Sequence, residues 1–240
     1  MLAIETKNLT KKYKDKLAVN RVDLKIIEGE LFALLGTNGA GKTTTIKMLS
    51  TLIPATCGEI KIGGLDIVKD TQSIKEILNV SPQETAIAPN LTVKENLEFM
   101  AGVYGIKNKE DTINNLIKTF KLEEVLKQKA KTLSGGWQRK VSIAISLINA
   151  PKILFLDEPT LGLDVIARKE LWSVINNLKG KITIILTTHY MEEAEILSDR
   201  IGIMSKGELI EVGTAKELVE KTGAKNFEDA FVKIATGGEL

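Results

Sequence analysis

Hydrophobic and polar positions along the chain fall into two textures, and their periods predict which segments become strands and which become helices. Through residue 35 the period is two: Val22, Leu24 and Ile26 alternate with polar neighbours ahead of a Glu28-Gly29 turn, and the apolar run "LFALLG" follows. Alternation of this kind fits strands with one buried face, while the unbroken run fits a strand buried on both. From about 90 to 150 the period lengthens. Ile113, Leu116, Ile117 and Phe120 recur at i, i+3, i+4, i+7, and Trp137, Val141, Ala144, Ile145 and Ile148 do likewise ahead of Pro151. Two amphipathic helices are predicted, the second stopped by the proline. Strand patterns return in "KILFLDEP" and "ITIILTTH", separated by a helical stretch from Val165 to Lys179 that ends at Gly180. Thr214 and Glu217 have the spacing of a capping box, and a short last helix should start near Asn226.

Apolar strands that alternate with helices indicate an α/β fold whose mainly parallel sheet is covered on both faces. No repeat or low-complexity linker interrupts the pattern. At 240 residues, with 43% hydrophobic and 27% charged content, one domain, or a core carrying a subdomain, is expected. Lys and Arg number 33 against 31 Asp and Glu, with both signs scattered, whereas a nucleic-acid footprint would be more basic. No apolar run approaches the roughly 18 residues of a bilayer span, and "MLAIETKNLT" does not resemble a signal peptide, so a cytoplasmic chain without its own membrane span is expected. Cys57 is the only cysteine and His189 the only histidine, so an intrachain disulfide or Cys/His zinc site cannot form. Metal chemistry then falls to oxygen ligands.

Against that background "GTNGAGKTT" stands out, because it fits G-x-x-x-x-G-K-[ST] where a strand should end and a helix begin. Glycines let such a loop turn its amides inward around an anion. Gly36, Asn38, Gly39, Ala40, Gly41, Lys42, Thr43 and Thr44 are therefore candidate nucleotide contacts. Lys42 would reach the β- and γ-phosphates, the Thr43 hydroxyl would bind Mg²⁺, and the amides of 39 to 44 would cradle the α- and β-phosphates. A helix dipole supplies only about 1 to 2 kcal/mol, against about 8 for micromolar binding, so amides, lysine and metal must act together.

"ILFLDEP" places two carboxylates at the C-terminal end of a buried strand, the end at which parallel sheets bind ligands. Adjacent strand residues point to opposite faces, so the two should differ in task. Asp157 becomes the metal-side carboxylate, and Glu158 can face a water set to attack the γ-phosphate. "LSGGWQR" then offers a second anion-binding helix start: Ser134 as N-cap, followed by the free amides of Gly135, Gly136 and Trp137. One nucleotide does not need two such sites far apart on one chain. Two chains meeting head to tail, each closing the other's site, is the economical inference.

These motifs, taken together, resemble the ATP-binding subunit of an ABC transporter over nearly the whole chain. Walker A is "GTNGAGKT", the Q-loop resembles "SPQE" with Gln83, the signature is "LSGGW", Walker B is "ILFLDE", the D-loop is "LGLD" with Asp164, and the H-loop is "TTHY" with His189. The resemblance implies a P-loop NTPase (RecA-like) core with a mainly parallel sheet, an N-terminal antiparallel β subdomain and an inserted α-helical subdomain. Residues 1–85 and 151–213 would form the core with its β subdomain, 86–150 the helical subdomain, and 214–240 the C-terminal helices. It also implies that Gln83 completes the Mg²⁺ shell and links it to the membrane partner, and that Asp164 connects the two sites. His189 would contact the γ-phosphate and hold the water beside Glu158, and Tyr13 would stack on adenine. Trp137 departs from the family, which most often has glutamine there; packing is its expected role.

The implied activity is ATP hydrolysis with Mg²⁺, coupled to an integral membrane permease subunit and a second ATP-binding subunit, with a homodimer expected. The chain would sit peripherally on the inner face of the cell membrane. "NLTVKENLEFMAGVYGI", "TTHYMEEAEILSDRIGIMSKGEL" and "NFEDAFVKIATG" look like exporter-type subunits, and no long regulatory extension like that of some sugar importers follows. A docking groove for the permease is expected between Gln83 and Tyr104. The alternative is an ABC-type ATPase without a membrane partner, such as an iron-sulfur assembly scaffold; a simple P-loop kinase leaves the serine-glycine helix start unexplained.

Overall fold

Strand pairing along the chain produces two sheets in the computed structural model, which describes residues 1–237. Strands β1 (Leu2–Tyr13) and β2 (Lys16–Ile27) form a long antiparallel hairpin leading to β3 (Leu31–Gly36), whose end feeds α1 (Lys42–Leu49). β4 (Cys57–Ile62) and β5 (Leu65–Asp66) return to the hairpin and complete an antiparallel sheet in the order β2-β1-β4-β5. After α2 (Thr71–Ile77) and β6 (Leu78–Ser81) come three helices, α3 (Val93–Val103), α4 (Lys109–Phe120) and α5 (Gly135–Ser146). The chain then alternates through β7 (Ile153–Asp157), α6 (Val165–Leu178), β8 (Thr183–Thr188), α7 (Met191–Leu197), β9 (Arg200–Ser205) and β10 (Glu208–Gly213). Helices α8 (Ala215–Thr222) and α9 (Phe227–Thr236) follow, and residues 238–240 of the expected C-terminal segment lie outside the described residues.

The second sheet runs β10-β9-β3-β8-β7-β6 and is parallel except for β10. Its central strands alternate their apolar side chains between two faces. Leu154, Leu156, Ile184 and Leu186 pack with the helical layer of α3, α4, α5 and α6, while Ile153, Phe155, Ile185, Phe32 and Leu34 face the antiparallel sheet and α1. Ala33 and Leu35 meet Ile201, Ile203, Ala194 and Phe227 under α7, α8 and α9. The predicted face of α4 is buried as expected, with Phe120 fully enclosed. Each such side chain contributes about 1.5–3 kcal/mol.

Helix ends follow the caps. Thr214 and Glu217 form the predicted capping box, Asn226 caps α9, and Thr92 with Glu95 forms a second box at α3. α5 is shorter than its periodicity predicts: it stops at Ser146, and buried Ile148 lies beyond it in tight turns, Ile148 N to Ile145 O and Ala150 N to Leu147 O. Pro151 disfavours helical backbone before it, and Ala150 sits at φ 48°. No helix among the described residues is long and apolar enough to cross a membrane.

Register carries the consequence for function. Leu35 pairs with Thr188 and Asp157 with Thr187, so the C-terminal ends of β3, β7 and β8 arrive side by side. Three segments far apart in sequence thus open at one edge of the sheet.

Candidate functional site

The loop from Gly36 to Lys42 turns sharply because two of its positions tolerate only glycine. At Gly36 a Cβ would approach Met204 O to 2.5 Å, and Gly41 combines φ 103° with a Cβ position 2.6 Å from Ala18 O. The turn wraps a cavity of about 460 Å³ lined by Asn38, Gly39, Ala40, Gly41, Lys42, Thr43 and Thr44 from the loop, with Gln83, Glu158 and His189 across from it. Amides at the start of α1 and a cationic side chain in one concavity make an anion site. Lys42 itself folds back on the loop, donating from Nζ to Gly36 O at 2.7 Å and Thr37 O at 3.2 Å, and is 4% exposed. Burial lowers its pKa, opposed by the nearby carboxylates of Glu158 and Asp157.

Asp157 and Glu158 take different surroundings, as strand alternation predicts. Asp157 Oδ1 accepts from Thr43 Oγ1 at 3.1 Å and from Thr187 Oγ1 at 2.5 Å, which turns it toward the start of α1. Glu158 leaves the strand at φ 49°, a left-handed conformation uncommon for a non-glycine residue. That twist aims its carboxylate into the cavity. Oε2 lies 2.7 Å from His189 Nδ1 and Oε1 lies 3.7 Å from Lys42 Nζ. A nearly buried carboxylate between an imidazole and an ammonium, at the mouth of an anion cavity, is equipped to orient a water and take its proton.

Not every candidate residue reaches this cavity. Gly36 and Asp157 are outside the lining, Gly36 O holding Lys42 Nζ and Asp157 Oδ1 holding the Thr43 hydroxyl. Tyr13 is exposed, with Lys11 Nζ 5.1 Å from its ring centroid, and the nearby lining is instead Lys16 and Ala18. Asp164 caps α6, accepting from Ile166 N at 2.9 Å and Ala167 N at 3.0 Å. Ser134, Gly135 and Gly136 open α5 away from the lining. Ser134 is the N-cap of α5, as read from the sequence, and its hydroxyl makes no cap bond. Gly136 is needed for close packing, since a Cβ there would meet Ala167 Cβ at 3.0 Å. Trp137 packs on the helical core under Lys140, whose Nζ sits 4.3 Å from the ring centroid and 2.7 Å from Glu170. Sequence reasoning passes over Thr187, Leu161 and the contacts of Arg139, which depend on which segments meet.

Comparison with known proteins agrees with this geometry. A family model described as ABC transporter matches residues 19–161, more than half of the chain. The linearmycin resistance ATP-binding protein LnrL of Bacillus subtilis (strain 168) is 38% identical over 238 residues, covering 98% of this chain and 75% of that protein. The phospholipid-transporting ATPase ABCA3 of Homo sapiens is 42% identical over 227 residues, which cover 92% of this chain and 13% of that much longer protein. Among solved structures, the dimeric post-hydrolysis state of the ATP-binding cassette MJ0796 bound to ADP and Pi superposes with a TM-score of 0.79 at 27% identity, covering 88% of this chain and 98% of that one. With the phosphate loop, the paired carboxylates and the histidine converging at one sheet edge, the chain belongs to the ABC transporter family, as one of its ATP-binding domains.

Proposed function

We propose that the chain hydrolyses ATP and that two copies, closing head to tail around two nucleotides, drive an integral membrane subunit in export. The observation that carries the reading is Glu158, its carboxylate held between His189 Nδ1 and Lys42 Nζ beside the phosphate loop. The Glu158 carboxylate accepts a proton from a water whose oxygen bonds to the γ-phosphorus, while the bond from that phosphorus to the β-γ bridging oxygen breaks and ADP leaves. His189 orients carboxylate and water. Lys42 and the amides of 39 to 44 offset charge on the phosphates.

Thr43 Oγ1 and Gln83 in the cavity lining, with Asp157 Oδ1 3.1 Å from Thr43 Oγ1, form an oxygen-donor set that suits Mg²⁺. Those residues would hold the ion, which supplies charge neutralisation at the phosphates. Ser134 and the amides of Gly135 and Gly136, unused within their own chain, would complete the partner's site, and Asp164 would lie at the junction of the two. Tyr13 would meet adenine by turning inward from its exposed position. Residues 86–150 would carry the signature helix as a unit, and the segment from Gln83 to Tyr104 would form the permease groove. The names of LnrL and ABCA3, a resistance protein and a phospholipid transporter, support the export direction. The dimeric state of MJ0796 supports the pairing of two copies.

Glu158→Gln tests the reading. It removes the proton acceptor and keeps the shape, so turnover should fall about 10²–10⁴-fold while ATP drives a stable dimer on size exclusion. Brisk hydrolysis by this variant removes Glu158 from the base role, and a variant that stays monomeric at saturating MgATP, alone and with its membrane subunit, refutes the closed dimer.

A further inference from the structure

Arg139 lies in the second turn of α5, buried to 4% exposure, and makes no ion pair among the described residues. Its guanidinium donates instead to four backbone carbonyls: Nε to Pro159 O at 2.7 Å, Nη1 to Pro82 O at 2.5 Å, and Nη2 to Asp157 O at 2.9 Å and Glu158 O at 2.6 Å. Those carbonyls belong to two segments. One is the exit of β7, which carries both carboxylates; the other immediately precedes Gln83 and also meets α5 where the Ser81 and Ser142 hydroxyls lie 3.3 Å apart. Burial lowers the guanidinium pKa to about 10, against the pull of the Asp157, Glu193 and Glu158 carboxylates. A buried cation without its own counter-ion is expensive to keep, and packing alone would be met by an apolar side chain of similar volume.

We propose that Arg139 is a positioning residue for hydrolysis: it fixes the carbonyl of Glu158 and the carbonyl before Gln83 to the signature helix, so that the seating of α5 sets the aim of the base. The proposal rests on the ATPase reading above. Glu158 shows why such a clamp is needed. Its backbone is left-handed at φ 49°, and its N–H is already held by Thr187, through the carbonyl O and Oγ1, both at 3.1 Å. Arg139 secures the carbonyl side, so both peptide planes flanking the twist are pinned, one from β8 and one from α5. A planar guanidinium with five donors in a fixed fork can span these acceptors; an ammonium on a flexible stem cannot. The α5 helix also presents Ser134, so contact of that helix start with a nucleotide on the partner would be felt at Glu158 through one side chain.

The test compares wild type, Arg139→Lys and Arg139→Ala in kcat, ATP dissociation constant and thermal midpoint. Arg139→Lys should lose about 10²-fold in kcat, the size expected for a base displaced by about 1 Å, with ATP affinity within about threefold. Free guanidinium ion should restore part of the turnover of Arg139→Ala, and methylammonium should not. The proposal is overturned if Arg139→Lys keeps wild-type kcat, if kcat and affinity decline together with the midpoint, or if Arg139→Lys does not fold, since each makes the residue structural only. Should Arg139→Ala be insoluble, Arg139→Lys decides. Absence of turnover in wild type defeats the ATPase reading itself, and the proposal with it.

Discussion

His189 Nδ1 and Glu158 Oε2 stand 2.7 Å apart, and the contact joins residues 31 positions apart in sequence across the ends of β7 and β8. Tyr190, its ring centroid 4.2 Å from that of His189, lies in turn 4.7 Å from the Arg168 guanidinium, so the imidazole is buttressed from α6. A carboxylate so held has one direction in which to present its other oxygen. His189→Ala should therefore lower kcat by about 10²-fold while ATP affinity changes by less than about threefold. Steady-state kinetics with a separate binding titration checks this, and an equal loss in both quantities would make His189 a binding residue.

Mixing two inactive variants addresses the composite site. The Ser134 hydroxyl makes no cap bond within its own chain, so Ser134→Ala removes no internal interaction. Lys42→Ala damages the opposite half. In a head-to-tail pair one site of each mixed dimer is intact, so an equal mixture should recover about a quarter of wild-type sites if chains pair at random. Turnover of every mixture measured against the parents decides. A plain average of the parental rates means that each site is built from one chain.

Much of this was legible in the sequence, for physical reasons that differ by element. β3, β7 and β8 could be read because a strand buried on both faces must be continuously apolar, and the phosphate loop because glycine is required where backbone meets Ala18 O and Met204 O. Contacts that depend on the packing of remote segments left no local trace. Thr187 holds both Asp157 and the Glu158 N–H, yet in sequence it is one more β-branched residue of a strand. Arg139 is in sequence one basic residue among others of a helix, and only the packing of α5 beside the exit of β7 brings its guanidinium to the carbonyls of Asp157, Glu158 and Pro159. Ser134 could be read as an N-cap because residue type and local backbone agree, and its hydroxyl makes no cap bond. Ile148 kept its core position without its helix, because burial follows the apolar pattern even where Pro151 ends the backbone geometry.

Glu193 gives a prediction about stability rather than turnover. It lies on α7, completely buried, and Oε1 accepts from Trp172 Nε1 at 3.0 Å. Burial raises its pKa above the ordinary 4.5, only partly countered by the hydroxyls of Thr188 and Thr160, the indole of Trp172 and the charge of Arg168. Between 4.5 and that raised value the folded chain holds a proton the unfolded chain has released, so this group's contribution is complete below 4.5 and is lost as pH rises. Glu193→Gln carries no titrating proton and keeps an acceptor for Trp172. Its thermal midpoint relative to wild type should therefore climb as pH is raised from 4 toward 8. For a chain this long each kcal/mol of that difference moves the midpoint by about 2–4 °C. Lys42, whose pKa burial lowers, is present in both proteins, so it cancels from the difference. Scanning calorimetry across that range is the check: a midpoint difference that stays flat or shrinks with rising pH would show that Glu193 costs the fold nothing by ionising.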